Sequence, residues 1–456
     1  MSKKQSYHLE PYKGLMNDPN GLIYFNGMYY VFFQWNRFGL NHSYKEWGLF
    51  TSRNMISWNF IGSALLPDQD YDCHGVYSGS GYEMNNELCL FYTGNTKYDG
   101  KRKSYQCLAV SKDGRRYIKK GPILTTPKEY TEHFRDPKVF RRKDGSYSML
   151  VGAQLLNGCG AIALCHSLDG VKWSYVGKIA SSNLYQMIEC PDLFSIDETD
   201  VLIFCPQKRD NEHDTSIFSF AAYKIGHFSE LDDLTNSEDL DTHFKLLDYG
   251  FDYYAPQTFE DENGRRLIIA WMSNMNGQQE EEFSKNERTL HCMTMPREVR
   301  VIDGILYQKP ITEMYELLAD ELSMELKDET IVIYPTERAV YLNLEQLNVE
   351  NCMNINFFHN EFIFNYDKYK KLIKISRKDW VTNEYTHRVY EQITLSEIEV
   401  WIDNSSIEMF INKGEISMSS RIYPLTNKLE ISIDGINSLT KIKANKVEAL
   451  EMNGGL

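Results

Sequence analysis

The sequence predicts an all-β protein: a five-bladed β-propeller followed by a C-terminal β-sandwich. Three observations carry this. A strand–tight turn–strand pattern occurs five times, in "GLIYFNGMYYVFFQ", "YSGSGYEMNNELCLFYTG", "DPKVFRRKDGSYSMLVGA", "CPDLFSIDETDVLIFCP" and "APQTFEDENGRRLIIAWM". A second pattern, Ser-x-(Asp/Asn)-x-x-x-(Trp/Tyr)-x-x-x-Gly, begins at Ser52, Ser111 and Ser167. Both patterns stop near residue 310, after which short alternating strands continue to the end.

Each element follows from local chemistry. Asn26-Gly27, Asp144-Gly145 and Asn263-Gly264 are hairpin turns, because Asn and Gly accept the positive φ that two-residue turns require. Five such hairpins, each followed by more strand-like sequence, make five sheets of about four strands, and radial repetition of such sheets is a propeller. Long helical patterns are nearly absent before residue 310, which argues against an α/β barrel. The segment "YQKPITEMYELLADEL" reads as a short helix or a crossing loop. Beyond it, "YLNLEQL", "NINFFHN", "FIFNY", "IEVWIDN" and "SIEMFINKGEISMSS" alternate as sandwich strands. The expected division is residues 1–310 propeller, 311–322 linker and 323–456 sandwich.

Bulk properties narrow the function. The 456 residues exceed one ordinary core, and 42% hydrophobic with 25% charged residues fits a soluble protein. Aromatic residues make up 13%, which suits β-structure and the ring-lined sites that grip sugars. The net charge of −15 disfavours nucleic-acid binding, which needs clustered positive charge. No apolar segment is long enough for a membrane span, and the basic start "MSKKQSYHLEPYKG" lacks the apolar core of a signal peptide. Nine scattered cysteines read as reduced thiols, so a cytoplasmic location is expected.

Within the repeat, Asp18, Asp136 and Glu189 each lie eight residues before a turn residue, Asn26, Asp144 and Asp197 respectively. A turn-capping role accounts for one such acid. Three in the same place, each beside a Pro or Cys-Pro, point to one end of a central channel, where they would raise one another's pKa. His42, His74, His133 and His213 show no ligand spacing, so no metal and no cofactor is expected. Paired carboxylates without a metal suit glycoside hydrolysis, in which one protonates the leaving oxygen and the other attacks or activates water.

The blocks "LMNDPNG", "EHFRDPKVF" and "ECPDLF", in that order, resemble the three signature blocks of glycoside hydrolase family 32, the β-fructofuranosidases. "YSGSG", "YYAPQTF", "MTMPREV" and "EVWIDNSSIEMFINKGEISMSSRIYP" extend the similarity over nearly the whole chain. The resemblance implies a propeller and a sandwich, in agreement with the repeats. It implies Asp18 as nucleophile at C2 of a fructosyl unit, Glu189 as general acid and then base, and Asp136 as the transition-state stabiliser, with Arg135 balancing charge. In a retaining enzyme the two reacting carboxyls lie about 5–5.5 Å apart. The resemblance also implies sugar contacts at or near Asn17, Gln34, Trp47, Tyr77, Ser78, Tyr254 and Trp271. Cys190, next to the acid, reads as a small buried residue with a tuning role as the alternative.

After "FFQWN", this chain has His42 about where many family members carry a Trp. The arrangement Gly39, His42, Lys45, Trp47 is similar to the bacterial sucrose-6-phosphate hydrolases, and His42 with Lys45 could offer donors and charge to a phosphate. A second candidate patch is Gln207 to His213, with Arg209 at its centre. The expected partner is a small sugar: sucrose, sucrose 6-phosphate or a short fructooligosaccharide. Fructan hydrolysis, fructosyl transfer and a non-catalytic sugar-binding propeller stay open as alternatives.

Overall fold

The computed structural model describes residues 3–208, 218–228, 238–426 and 428–454. The chain is a five-bladed β-propeller followed by a β-sandwich, as the repeats predict. Its contacts separate two compact units that interleave in sequence. One comprises Pro11–Leu247, Tyr254–Trp271 and Met452–Leu456; the other comprises Met1–Glu10, Asp248–Tyr253 and Met272–Glu451.

In the first unit, blade one is the antiparallel run Gly14–Phe25, Met28–Asn36, Glu46–Ser52 and Ser57–Leu65. Blade two runs Val76–Met84, Glu87–Tyr98, Lys101–Ser111 and Ile118–Thr125. Blade three runs Tyr130–Arg141, Tyr147–Leu155, Gly160–Ser167 and Ser174–Ser181. Blade four runs Met187–Ile196, Thr199–Lys208, Ala222–Gly226 and Lys245–Leu246. The two inner strands of blade five are Tyr254–Glu260 and Arg266–Trp271. The first strand of each blade lies against the first strand of the next, and the fifth against the first, which closes the ring.

Both sequence repeats have a physical origin. The Ser-x-Asx motif is the turn between the third and fourth strands of a blade. Asp113 Oδ1 accepts from the backbone of Arg115 and Arg116, and Asp169 Oδ1 from that of Val171 and Lys172. Asn54 Oδ1 does the same for Ser57 at 2.9 Å. The aromatic residue then folds back onto the turn: Trp58 and Trp173 donate their indole N–H, and Tyr117 its hydroxyl, to the carbonyls of Met55, Gly170 and Gly114. These side chains satisfy turn groups that no ladder reaches. Asn26-Gly27 forms the expected two-residue turn, with positive φ at both residues, as do Asp197 and Glu198. At Asp144-Gly145 and Asn263-Gly264 only the glycine is left-handed, and the turns are longer, spanning residues 142–146 and 261–265.

Apolar cores fill the spaces between blades. Phe32, Trp47, Leu90 and Tyr92 pack between the first two, Phe91, Met149 and Val151 between the second and third, and Leu150, Ile188 and Phe204 between the third and fourth. The approach is close where the site begins. A Cβ on Gly152 would stand 2.4 Å from the Ile188 carbonyl oxygen, so only glycine lets that strand pass so near the residue before Glu189.

In the second unit, a six-stranded and a seven-stranded sheet enclose one core of Ile, Val, Phe and Met side chains, including Val340, Ile355, Phe364 and Ile407. The segment read as a short helix or loop is a 3₁₀ helix, Thr312–Leu317, followed by a strand, Leu318–Glu321. A buried ionic cluster ties the start of the chain into this unit. His8 Nδ1 lies 2.8 Å from Asp403 Oδ2 and Nε2 lies 2.8 Å from Glu408 Oε1, and Arg297 pairs with both Glu408 and Asp248. Burial pushes the imidazole towards neutrality, but hydrogen bonds to two carboxylates outweigh it and hold the His8 pKa at about 9.

A raised histidine pKa contributes stability in full below 6.5, and that contribution fades as pH passes through about 9. His8→Gln is expected to lower stability near pH 6 by about 1.5–3 kcal/mol, the cost of removing charge-assisted hydrogen bonds from two buried carboxylates that keep other donors. It should also flatten the decline between pH 6.5 and 9; chemical denaturation across that range measures both.

Candidate active site

The site begins with proline. Pro19, Pro137, Pro191 and Pro256 stand in the inner strands of blades one, three, four and five. A proline has no N–H to give the ladder; pairing is interrupted at Pro137, Pro191 and Pro256, while Pro19 stays in register with Phe33. The register skips between Arg135 and Lys138, between Glu189 and Asp192, and between Tyr254 and Gln257, leaving bulges at Asp136-Pro137, Cys190-Pro191 and Ala255-Pro256. Asp136, Cys190 and Ala255 take φ of 65°, 45° and 49°. In blade one the skip falls at Asn17-Asp18, and in blade two at Ser78. A bulge re-aims side chains, and five of them around one ring aim a set of polar groups at its centre.

Aligned on the prolines, Asp18, Asp136, Cys190 and Ala255 correspond in sequence, although the blade-one bulge lies one residue earlier, at Asn17-Asp18; Glu189 stands one residue before Cys190, level with Arg135 and Tyr254. This corrects the equal spacing of the three acids. Blade one has a second register skip beside Gly21, which adds a residue before its turn. Blade three has a longer turn, between Arg141 and Tyr147. Counting back from the turns therefore hides a one-residue offset.

The offset produces a lateral ladder across three blades. Arg135 donates to Glu189 Oε1 twice, from Nε at 3.0 Å and from Nη2 at 2.6 Å. On the other side, Tyr254 Oη donates to Glu189 Oε2 at 2.7 Å. His133 Nδ1 lies 3.1 Å from Arg135 Nη1 and accepts its hydrogen, with the His133 pKa held down at about 4 by burial and by that guanidinium.

Asp18 is held from blades one and two. Gln34 Nε2 donates to Ser78 Oγ at 2.9 Å, and Ser78 Oγ donates to Asp18 Oδ2 at 2.5 Å. Burial raises the Asp18 pKa, opposed by the Ser78 hydrogen bond and the Lys45 charge. Asp136 accepts from the Cys190 backbone N–H at 3.2 Å, and the thiol lies 3.7 Å from the same oxygen. Its own N–H donates to Thr93 Oγ1, and Thr93 in turn donates to Gln106. Burial raises Asp136 to about 7; Arg135 opposes this, while Glu189 and Asp18 add to it. The three acids are thus electrostatically coupled in one place.

The remaining expected residues divide. Lys45 Nζ donates to Asn17 Oδ1 and lies 3.2 Å from His42 Nδ1. Beside an ammonium, Nδ1 must accept, so the ring carries its hydrogen on Nε2. The exposed His42 ring meets the Trp271 ring edge-on at 6.4 Å, and Trp271 pairs in register with Tyr254. Tyr77 is half-buried, with the Arg102 guanidinium 5.8 Å from its ring. Trp47 does not belong to the site. It is 0% exposed, packed against Phe32 and Tyr92, with its indole donating to the Tyr77 carbonyl. Gln34 and Ser78, expected as sugar contacts, are buried; Gln34 donates to Ser78, and Ser78 donates to Asp18. Of the Gln207–His213 patch, Gln207 and Lys208 end a strand, and the rest, Arg209 included, lies outside the described residues.

The sequence does not single out Thr93 or Gln106, and it offers His133 only as a metal ligand without ligand spacing. The signal for Thr93 was polarity out of place, since it interrupts the apolar run "LCLFYTG" and is 0% exposed.

An acid whose folded pKa is raised loses native stability as pH climbs from its ordinary value of 3.8 to its folded value of about 7. Asp136→Asn carries no such charge. It is expected to match the parent near pH 4 and exceed it by up to a few kcal/mol at pH 7–8, at about 1.4 kcal/mol per unit; thermal unfolding against pH measures the gap.

Comparison with known proteins agrees with this geometry. The model of the glycosyl hydrolases family 32 N-terminal domain matches residues 8–310, and that of the family 32 C-terminal domain matches residues 328–451. The sucrose-6-phosphate hydrolase of Bacillus subtilis (strain 168) is 35% identical over 441 residues, covering 94% of this chain and 91% of that one. The Klebsiella pneumoniae enzyme of the same name is 36% identical over 427 residues, covering 92% and 88%. The structure of sucrose-6-phosphate hydrolase from Lactobacillus gasseri superposes with a TM-score of 0.85 at 27% identity, covering 98% of this chain and 94% of that one. With both family domains present in order, the chain belongs to glycosyl hydrolases family 32 and is a glycosidase of the β-fructofuranosidase type.

Proposed function

We propose that this enzyme hydrolyses sucrose 6-phosphate with retention, through a fructosyl ester on Asp18. The observation that carries the reading is the pairing of two differently supported carboxylates. Asp18 is oriented by a hydroxyl and neighboured by a cation, and Glu189 is clamped between Arg135 and Tyr254. Arg135 occupies Oε1 of Glu189 twice, so Oε2, which carries the tyrosine hydroxyl, is the oxygen suited to handle a proton.

In the first step Glu189 gives its proton to the glycosidic oxygen while an Asp18 oxygen bonds to C2 of the fructosyl unit and the C2–O bond to the glucosyl oxygen breaks. In the second, Glu189 takes a proton from water, the water oxygen bonds to C2 and Asp18 is released. Asp136, near neutrality of charge, offers the sugar hydroxyls both a donor and an acceptor. Arg135 offsets the negative charge that three buried acids would otherwise concentrate.

For the phosphorylated substrate, the support is His42 and Lys45 at the same end of the channel, together with relatives named as sucrose-6-phosphate hydrolases. His42, with its hydrogen on Nε2, is a donor to a phosphate oxygen. The nine free thiols suit a reducing cytoplasm, where a phosphorylated disaccharide is retained.

The test compares kcat/KM on sucrose 6-phosphate and sucrose. A preference of at least tenfold for the phosphate, about 1.4 kcal/mol, is expected in the parent. His42→Ala should erase most of it with little change on sucrose. Equal rates on both sugars in the parent would return the specificity to unphosphorylated sucrose or fructans. Asp18→Asn is expected to lower kcat by at least about 1,000-fold on either sugar while leaving the fold intact; undiminished hydrolysis would remove the nucleophile assignment.

A further inference from the structure

The ring of inner strands has two mouths, and the carboxylates occupy one. At the other, the C-terminal ends of all five inner strands line a cavity of about 620 Å³. Leu22 on its wall lies roughly 13 Å of extended chain beyond Asp18, so this is a separate place. The lining carries five cations, Lys138, Arg141, Arg142, Lys143 and Arg266, against three acids, Glu83, Asp144 and Glu260. A local excess of positive charge is notable in a chain of net −15.

Two of these cations are not solvated surface charges. The Lys138 side chain is 12% exposed; its ammonium donates to Asp192 Oδ2 at 2.9 Å and to the Thr258 carbonyl at 2.6 Å. Its third hydrogen has no acceptor among the described residues. Arg266 is 21% exposed, with its guanidinium 5.3 Å from the Phe194 ring centre. Glu260, at 3.3 Å from Nη2, is its one polar partner among the described residues, so most of a five-donor fork faces the cavity and its solvent rather than a protein acceptor. Burial lowers the pKa of both groups, and the two charges repel each other. The Asp192 carboxylate beside both charges offsets part of this, and a second anion at the cavity would offset the rest. Phe194 and Phe259 supply flat apolar wall beside the charges.

We propose that the far mouth of the channel is a binding site for a phosphate monoester. Its phosphoryl oxygens would meet Arg266, Lys138 and Arg141, and its sugar or base would lie against Phe194 and Phe259. A planar fork together with a point charge fits a phosphoryl group with several acceptor oxygens better than it fits a single carboxylate. Glu83 and Glu260 are placed to accept from sugar hydroxyls.

The test is calorimetric titration of the full-length protein at low ionic strength with inorganic phosphate, glucose 6-phosphate and AMP in separate arms. At least one ester is expected to bind more tightly than inorganic phosphate. A tighter glucose 6-phosphate arm identifies a sugar phosphate, and a tighter AMP arm a nucleotide. That binding should weaken at least tenfold in Arg266→Gln and in Arg141→Glu, and persist in Lys45→Gln, with sucrose hydrolysis in Arg266→Gln within twofold of the parent. Arg141 is exposed, so its variant keeps the test intact if Arg266→Gln does not fold. Binding lost only in Lys45→Gln would place the anion at the catalytic mouth and overturn the proposal. So would equal affinity for inorganic phosphate, or no binding in any arm.

Discussion

Four inner strands of the ring carry a proline in or just after a bulge, and the site depends on that interruption of the ladder. Without an N–H, Pro137, Pro191 and Pro256 give the ladder no donor, and each lies within a bulge; in blade one the bulge falls just before Pro19, which stays paired with Phe33. At Asp136, Cys190 and Ala255 the bulge forces a left-handed φ that non-glycine residues avoid. Strain of this kind costs on the order of 1 kcal/mol or more per residue and persists only where the surroundings enforce it. Here the enforcement is the packed sheet on either side, and the result is two adjacent levels of polar side chains facing one point.

Those two levels divide the chemical labour. The upper one holds Arg135, Glu189 and Tyr254 in a sideways hydrogen-bonded row. The lower one holds Asp18, Ser78, Asp136 and Cys190, where each acid has a donor of its own. Burial pushes protons onto the lower pair of acids, while Arg135 and Lys45 pull the other way. The balance leaves neighbouring carboxyls in unlike environments, the arrangement acid–base chemistry requires of paired acids.

Much of this was legible in the sequence, for local reasons. Asn26-Gly27 and the Ser-x-Asx turns announce blades because their side chains and φ preferences act within a few residues. Asp18, Asp136 and Glu189 stood out because acids next to Pro, or to Cys-Pro, recur at the same distance before the turns of three blades. Their relative register was not legible, because a second bulge near Gly21 and a longer turn after Arg141 add residues that leave no mark in the spacing. Trp47 misled for a different reason. An aromatic residue near a sugar site and one wedged between blades read alike in sequence, and only packing against Phe32 and Tyr92 distinguishes them. Gln34 and Ser78 stand beside Asp18 in a hydrogen-bonded chain, Gln34 to Ser78 to Asp18, a pairing across two blades that no sequence spacing shows.

The most direct measurement is a crystal structure of the Glu189→Gln variant soaked with sucrose 6-phosphate. The account predicts the fructosyl unit at the bulges, with C2 in van der Waals contact with an Asp18 oxygen and the glycosidic oxygen within hydrogen-bonding distance of residue 189. The phosphate should lie beside His42. A sugar seated in the opposite direction, with its glucosyl ring against Asp18 and Asp136, would contradict the assignment of the two acids and with it the mechanism.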